Sequence, residues 1–139
     1  GTSGALWGVA LRAWGQALGD QDAASDAAQV QGAVDALDAI TRLGGARPGD
    51  KTLVDALDPF VTTLASAVAQ GAPLVAAWDR AATAATAAAE ATAALVPRLG
   101  RARPLAARSL GHPDAGAVSL ALCVRVIAQS LAEGDSTPA

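Results

Sequence analysis

The chain has 139 residues, 52% of them hydrophobic, with a net charge of −3 and a sequence pI near 4.9. That is enough for one domain with a real core, and an acidic chain lacks the basic surface that a general nucleic-acid binder needs to displace counterions from phosphates. Alanine makes up more than a quarter of the residues, Tyr and Met are absent and Phe60 is the only Phe, a composition that favours closely packed helices over a sheet. Cys123 is the only cysteine, so no internal disulfide can form. In its apolar run it reads as a buried small hydrophobe. No basic-then-apolar leader opens the sequence, and a cytoplasmic protein is expected.

In chain order, the first amphipathic helix is predicted over about Ser3 to Leu18, with Trp7, Leu11, Trp14 and Leu18 on one face. A second runs from Ser25 or Asp26 to Leu43. It turns Val30, Val34, Leu37 and Ile40 inward and Asp35 and Asp38 outward, and Gly44-Gly45 stops it. The third begins near Asp50 and carries Leu53, Leu57, Val61, Leu64 and Val68. Pro59 lies inside that pattern and predicts a kink, or a fresh start capped by Asp58. The uncharged stretch from Pro59 to Trp78 is interrupted by Thr62, Thr63, Ser66, Gln70, Gly71 and Pro73, which fits two helices and a turn, not a membrane span. The fourth helix, about Leu74 to Val96, is alanine-rich and anchored by Leu74, Trp78 and Leu95. An Arg-rich irregular segment follows Pro97. The last helix runs from Asp114 or Ala115 to about Ala132 with Val118, Leu122, Val126 and Ile127 apolar, and a flexible polar tail closes the chain. The domain is therefore expected over 1–133 and the tail over 134–139.

Three loops carry residue types suited to chemistry. Gly1-Thr2-Ser3-Gly4 stands directly before a helix, whose free N–H groups attract anions; the same residues also suit an ordinary N-cap. Between the second and third helices, Gly44 to Leu53 holds three glycines, one proline and Lys51, the only lysine. There Lys51 is either a site residue or a solvated lysine beside an N-cap Asp50. The third loop, Gly100 to Ala117, follows Arg98 and contains Arg101, Arg103, Arg108 and the only histidine, His112. Arginines can clamp phosphate oxygens. Asp114 could accept hydrogen bonds from a hydroxyl pair such as a ribose, or act as an N-cap. His112 reads as a general acid/base or as a structural histidine.

These three loops resemble those of DhaL-type proteins, the nucleotide-binding subunits of dihydroxyacetone kinases. That family carries Gly-Gly-(Thr/Ala)-Ser-Gly-x-Leu-(Tyr/Phe)-Gly, and Gly1 to Gly8 reads GTSGALWG. It carries Pro-Gly-Asp-Lys-Thr-(Met/Leu)-x-Asp, and Pro48 to Asp55 reads PGDKTLVD. The third motif, Gly-Arg-Ala-x-x-Leu-x-x-Arg-Ser-x-Gly-His-x-Asp-x-Gly-Ala, is met at every fixed position by Gly100 to Ala117. The resemblance implies an all-α antiparallel bundle or barrel whose loops at one end hold ADP or ATP through Mg2+. Carried over by motif, Thr2 and Ser3 would approach the phosphates, Gly44 and Leu53 would line the adenine side, and Arg101 would reach the phosphates. Asp114, Ala115 and Gly116 would hold the base or ribose edge. Lys51 and His112 sit in matching motifs as candidates for chemistry, without an assigned step. The implied reaction is phosphoryl transfer to dihydroxyacetone held on a DhaK-type subunit or domain, catalysed by positioning and charge stabilisation.

The sequence also departs from the family. The Asp-rich loop that binds the magnesium ions should lie upstream of Gly1, so no metal ligand is expected in this chain. The bundle is expected to be incomplete, with about five to six helices, and inactive alone. The phosphate donor is either ATP or a DhaM-type phosphocarrier that recharges bound ADP, the separate-subunit arrangement being slightly favoured. Two alternatives stand beside this reading: a fatty-acid-kinase-like nucleotide domain, and a metal-less helical interaction module using the Trp7/Trp14 face.

Overall fold

A computed structural model describes residues 25–96 and 110–136. The expected first helix and Arg-rich segment lie outside that range, as do the candidates Thr2, Ser3 and Arg101. Among the described residues every regular element is helical: α1 (Asp26–Gly44), α2 (Val54–Ala69), α3 (Leu74–Ala91), a 3-10 turn (Thr92–Ala94) and α4 (Ala115–Ser136). The all-α expectation holds. α3 lies at the centre, packed most extensively against α2 and then α4, while α1 covers α2.

Each boundary has a local cause. Ser25 starts α1 by accepting the Ala28 N–H at 3.1 Å. Gly45 ends it in the left-handed region at φ +69°, its N–H bonded to the Thr41 carbonyl. The buried face of α1 is Gly32, Ala33, Ala36 and Ile40, with Val30, Val34 and Leu37 only half-buried. Ile40 is buried as expected, and the expected Val30, Val34 and Leu37 pack against the core along the edge of a face centred on small residues. Asp35 is half-buried and Asp38 exposed. α2 runs unbroken across Pro59, so the fresh start capped by Asp58 does not occur. Val54, Ala56, Leu57, Phe60, Val61 and Leu64 pack that helix into the core, which outweighs the one donor Pro59 removes.

Alanines at 77, 81, 82, 85 and 89 form the buried face of α3. Two aromatic side chains fill the space that alanine leaves. Phe60 and Trp78 meet edge-on, with ring centroids 5.1 Å apart and an interplanar angle of 74°, and burying Phe60 contributes about 2–3 kcal/mol. The Trp78 indole Nε1–H donates to the Val124 carbonyl at 2.9 Å, fixing the rotation of α4. That helix buries Ala117, Leu120, Ala121, Val124 and Ala128. Leu122, Val126 and Ile127 of the expected apolar set are exposed instead, and Val118 is half-buried. Cys123 is exposed as well. The buried-thiol expectation fails because burial is decided by which side of α4 meets the alanine face of α3, not by the hydropathy of its neighbours. By length and composition Ala115–Glu133 could cross a membrane, but its small-residue face is seated in the bundle. The uncharged stretch from Pro59 to Trp78 forms parts of α2 and α3 joined by a turn at Gly71, as expected. α4 continues to Ser136, beyond the expected end at Ala132.

Candidate functional site

The loop between α1 and α2 is shaped by two aspartates. Asp50 accepts the Arg47 N–H at 3.0 Å and returns its own N–H to the Arg47 carbonyl at 3.1 Å. Asp50 is therefore a turn residue, not the helix cap expected for it. Asp55, in the first turn of α2, accepts the Gly49 N–H at 2.6 Å and the Thr52 N–H at 2.9 Å, one on each carboxylate oxygen. Thr52 in turn accepts the Val54 N–H at 3.1 Å, so Thr52 and Asp55 satisfy each other's end of the helix much as a capping box does. Between the two bonds to Asp55, Lys51 adopts φ +62°, the only positive φ of a non-glycine residue among the described residues. That conformation crowds Cβ against the carbonyl and must be held by its surroundings. Lys51 is only 3% exposed, which overturns the solvated-lysine reading. A buried ammonium needs nearby negative charge, and Lys51 lies close enough to Asp114 to stabilise its charged form.

The start of α4 is built from a different part of the chain. Thr92 in the 3-10 turn is 1% exposed. Its hydroxyl donates to the Ala89 carbonyl at 2.5 Å and accepts the Asp114 N–H at 2.8 Å. The Gly111 N–H reaches the Ala93 carbonyl at 2.7 Å. The chain on either side of 97–109 is thereby held together. Asp114 caps α4 by accepting the Ala117 N–H at 2.9 Å, with the Gly116 N–H also directed to it. Burial pushes the Asp114 carboxyl above its ordinary value. The Ala117 and Gly116 N–H groups oppose that rise, Asp55 adds to it and Lys51 opposes it.

The two loops meet. A Cβ placed on Gly116 would lie 3.1 Å from the Asp114 carboxylate and 3.4 Å from the Leu53 Cβ, so a side chain there would crowd the Asp114 carboxylate, and the two loops are in direct contact. Of the sequence candidates, Lys51, Leu53, Asp114 and Gly116 come together. Ala115 is exposed beside them, Gly44 is exposed at the far end of its loop, and His112 is exposed in the turn before α4. Two further contributors, Asp55 and Thr92, were not among the candidates. Thr52 followed three residues later by Asp55 was a readable signal for the first. Thr92 had none, because its partner is 22 residues away.

Electrostatically this half of the site combines two carboxylates with one buried ammonium. It suits a base or sugar edge better than a phosphate, and the N–H groups that open α4 already serve Asp114. It does not fit a magnesium ion either. The oxygens of Asp55 carry backbone N–H donors and those of Asp114 cap α4, and among the described residues no three His, Cys, Asp or Glu side chains group to hold a metal.

The all-helical architecture and the two joined loop motifs are consistent with the class that the sequence comparison shows: residues 1–129 match the DAK2 domain. The chain belongs to the DAK2 domain family. It is 56% identical over 128 residues to a D-erythrulose kinase of Mycolicibacterium smegmatis, covering 92% of this chain and 22% of that protein. It is 50% identical over 137 residues to an L-erythrulose kinase of Pectobacterium atrosepticum, covering 99% of this chain and 23% of that protein. Similarity to the ADP-binding subunit DhaL of the Escherichia coli PEP-dependent dihydroxyacetone kinase is lower, at 35% over 99 residues, or 71% of this chain and 47% of that protein. The chain spans less than a quarter of the two erythrulose kinases.

Proposed function

We propose that this domain binds the adenine nucleotide of a kinase that phosphorylates a short ketose, of the dihydroxyacetone or erythrulose type. The observation that carries the reading is the junction of the PGDKTLVD loop with the start of α4, which unites Leu53, Lys51, Asp114 and Gly116 in a domain of the DAK2 family. Leu53 offers an apolar wall for the base, and Asp114 to Gly116 line the ribose or base edge. Thr2, Ser3 and Arg101 supply the phosphate side, with magnesium carried by residues other than those described. Higher identity to the erythrulose kinases than to the DhaL subunit favours ATP as a consumed substrate and a ketose-holding DhaK-type domain in the same polypeptide over a DhaM-type phosphocarrier. Phosphoryl transfer in such a site depends on positioning and charge neutralisation, so this domain's share is to hold the nucleotide.

The test is the melting temperature of the chain against increasing ADP with excess magnesium. Saturation at one hundred times the dissociation constant adds about 2.7 kcal/mol, or roughly 9 °C for a domain of this size. A saturable rise supports the reading, and a flat series in a cooperatively melting chain refutes it for this chain alone. Joined to a ketose-binding domain, phosphate incorporation into dihydroxyacetone, D-erythrulose and L-erythrulose then ranks the substrates.

A further inference from the structure

We propose that Asp55 is a positioning residue that sets nucleotide affinity without touching the nucleotide, by locking residues 49–52 so that Leu53 stays seated against Gly116. The inference rests on the nucleotide-site reading above and adds a residue and a mechanism to it.

Asp55 is anchored from the core. Its neighbours Val54 and Ala56 are fully buried, Leu57 is 2% exposed and Phe60 is fully buried, so the first turn of α2 cannot shift without disturbing the bundle. From that fixed point the two carboxylate oxygens hold two separate loop amides, those of Gly49 and Thr52. The bonds bracket Lys51, whose φ of +62° is unfavourable for a residue with a side chain; Gly49 beside it takes φ +98° without that cost. Leu53 follows one residue after Thr52, with its backbone N 3.7 Å and its Cβ 3.4 Å from a Cβ built on Gly116. Releasing Gly49 and Thr52 would let Lys51 leave its left-handed conformation. Leu53 would then lose its register against α4, and Lys51 its place beside Asp114. One carboxylate thus ties two motifs, separated in sequence by the whole of α2 and α3, into one surface.

Asp55→Asn is the informative variant. The side chain keeps its shape but retains one oxygen, and its amide nitrogen then faces an N–H donor. Leu64→Val serves as the stability control, because it trims the core in the second half of α2, away from the first turn that carries Asp55. Two measurements are made on the full chain well below its melting temperature: the dissociation constant for magnesium-ADP by calorimetry, and amide hydrogen exchange at Gly49, Thr52, Gly116 and Ala117. The expected result is a rise of about tenfold or more in the dissociation constant for Asp55→Asn, with faster exchange at all four amides. Leu64→Val should stay within about twofold of the parent at a comparable loss of melting temperature. An unchanged dissociation constant in a folded Asp55→Asn, or an equal rise in Leu64→Val, overturns the proposal. If the parent chain binds no magnesium-ADP, the nucleotide reading fails separately, and exchange decides the positioning role. Acceleration confined to Gly49 and Thr52 refutes the link to α4, and acceleration reaching Gly116 and Ala117 supports it. Should Asp55→Asn not fold, Asp55→Glu carries both oxygens one methylene farther out and is read by the same two measurements.

Discussion

Replacing Thr92 by valine removes one hydroxyl and almost no volume, and that hydroxyl joins the end of α3 to the start of α4. It donates to the Ala89 carbonyl at 2.5 Å and accepts the Asp114 N–H at 2.8 Å, at a residue 1% exposed. In Thr92→Val the Asp114 N–H is left without that acceptor in a half-buried position, which costs about 1–3 kcal/mol. An unfolding entropy of about 2.1 cal/mol/K per residue over 139 residues amounts to roughly 0.3 kcal/mol per degree. The melting temperature should therefore fall by about 3–10 °C. Thr92→Ser keeps the hydroxyl and gives up one methyl group, so it should lose no more than about 1 kcal/mol. Thermal unfolding followed by circular dichroism measures both, and amide exchange at Asp114 reports whether the start of α4 has come loose. A valine variant as stable as the serine variant would mean that the hydroxyl holds nothing together.

Asp114→Asn keeps the cap but removes the titration. A carboxyl whose folded pKa is raised contributes its stability while protonated, below its ordinary value of 3.8, and loses it as pH rises through the elevated folded value. Relative to the parent, the asparagine variant should gain melting temperature as pH climbs through that range, and a constant difference would contradict the burial argument. Trp78→Phe retains the edge contact with Phe60 but gives up the bond to the Val124 carbonyl. Its urea midpoint should drop by the equivalent of about 1–2 kcal/mol. Arg125 forks to Asp79 at 2.6 Å and Thr83 at 2.7 Å, with the arginine and aspartate side chains 30% and 65% exposed. Arg125→Ala should accordingly cost less than about 1 kcal/mol in urea unfolding, and less again in high salt.

What the sequence determined by itself was local. Alanine content and apolar spacing set the helical class, and Gly45, Gly71 and the Ser25 cap set where helices stop and start, because these effects act within one turn of the backbone. The motifs around Lys51 and Asp114 could be read as a pair belonging to one site, since their residue types and order are written in the chain. The tertiary structure decided which faces are buried. Hydropathy favoured Leu122, Val126 and Cys123, which are exposed, yet the helices meet through Ala33, Ala36, Ala81, Ala85, Ala121 and Ala128, because small residues permit the closest approach and Trp78 fixes the rotation of α4 by a bond to a main-chain carbonyl. Tertiary structure also made Lys51 a buried residue, and it assigned work to Asp55 and Thr92. The roles of these residues depend on partners brought together only when α2, α3 and α4 have packed, and no spacing rule along the chain encodes a hydrogen bond from Asp114 back to Thr92.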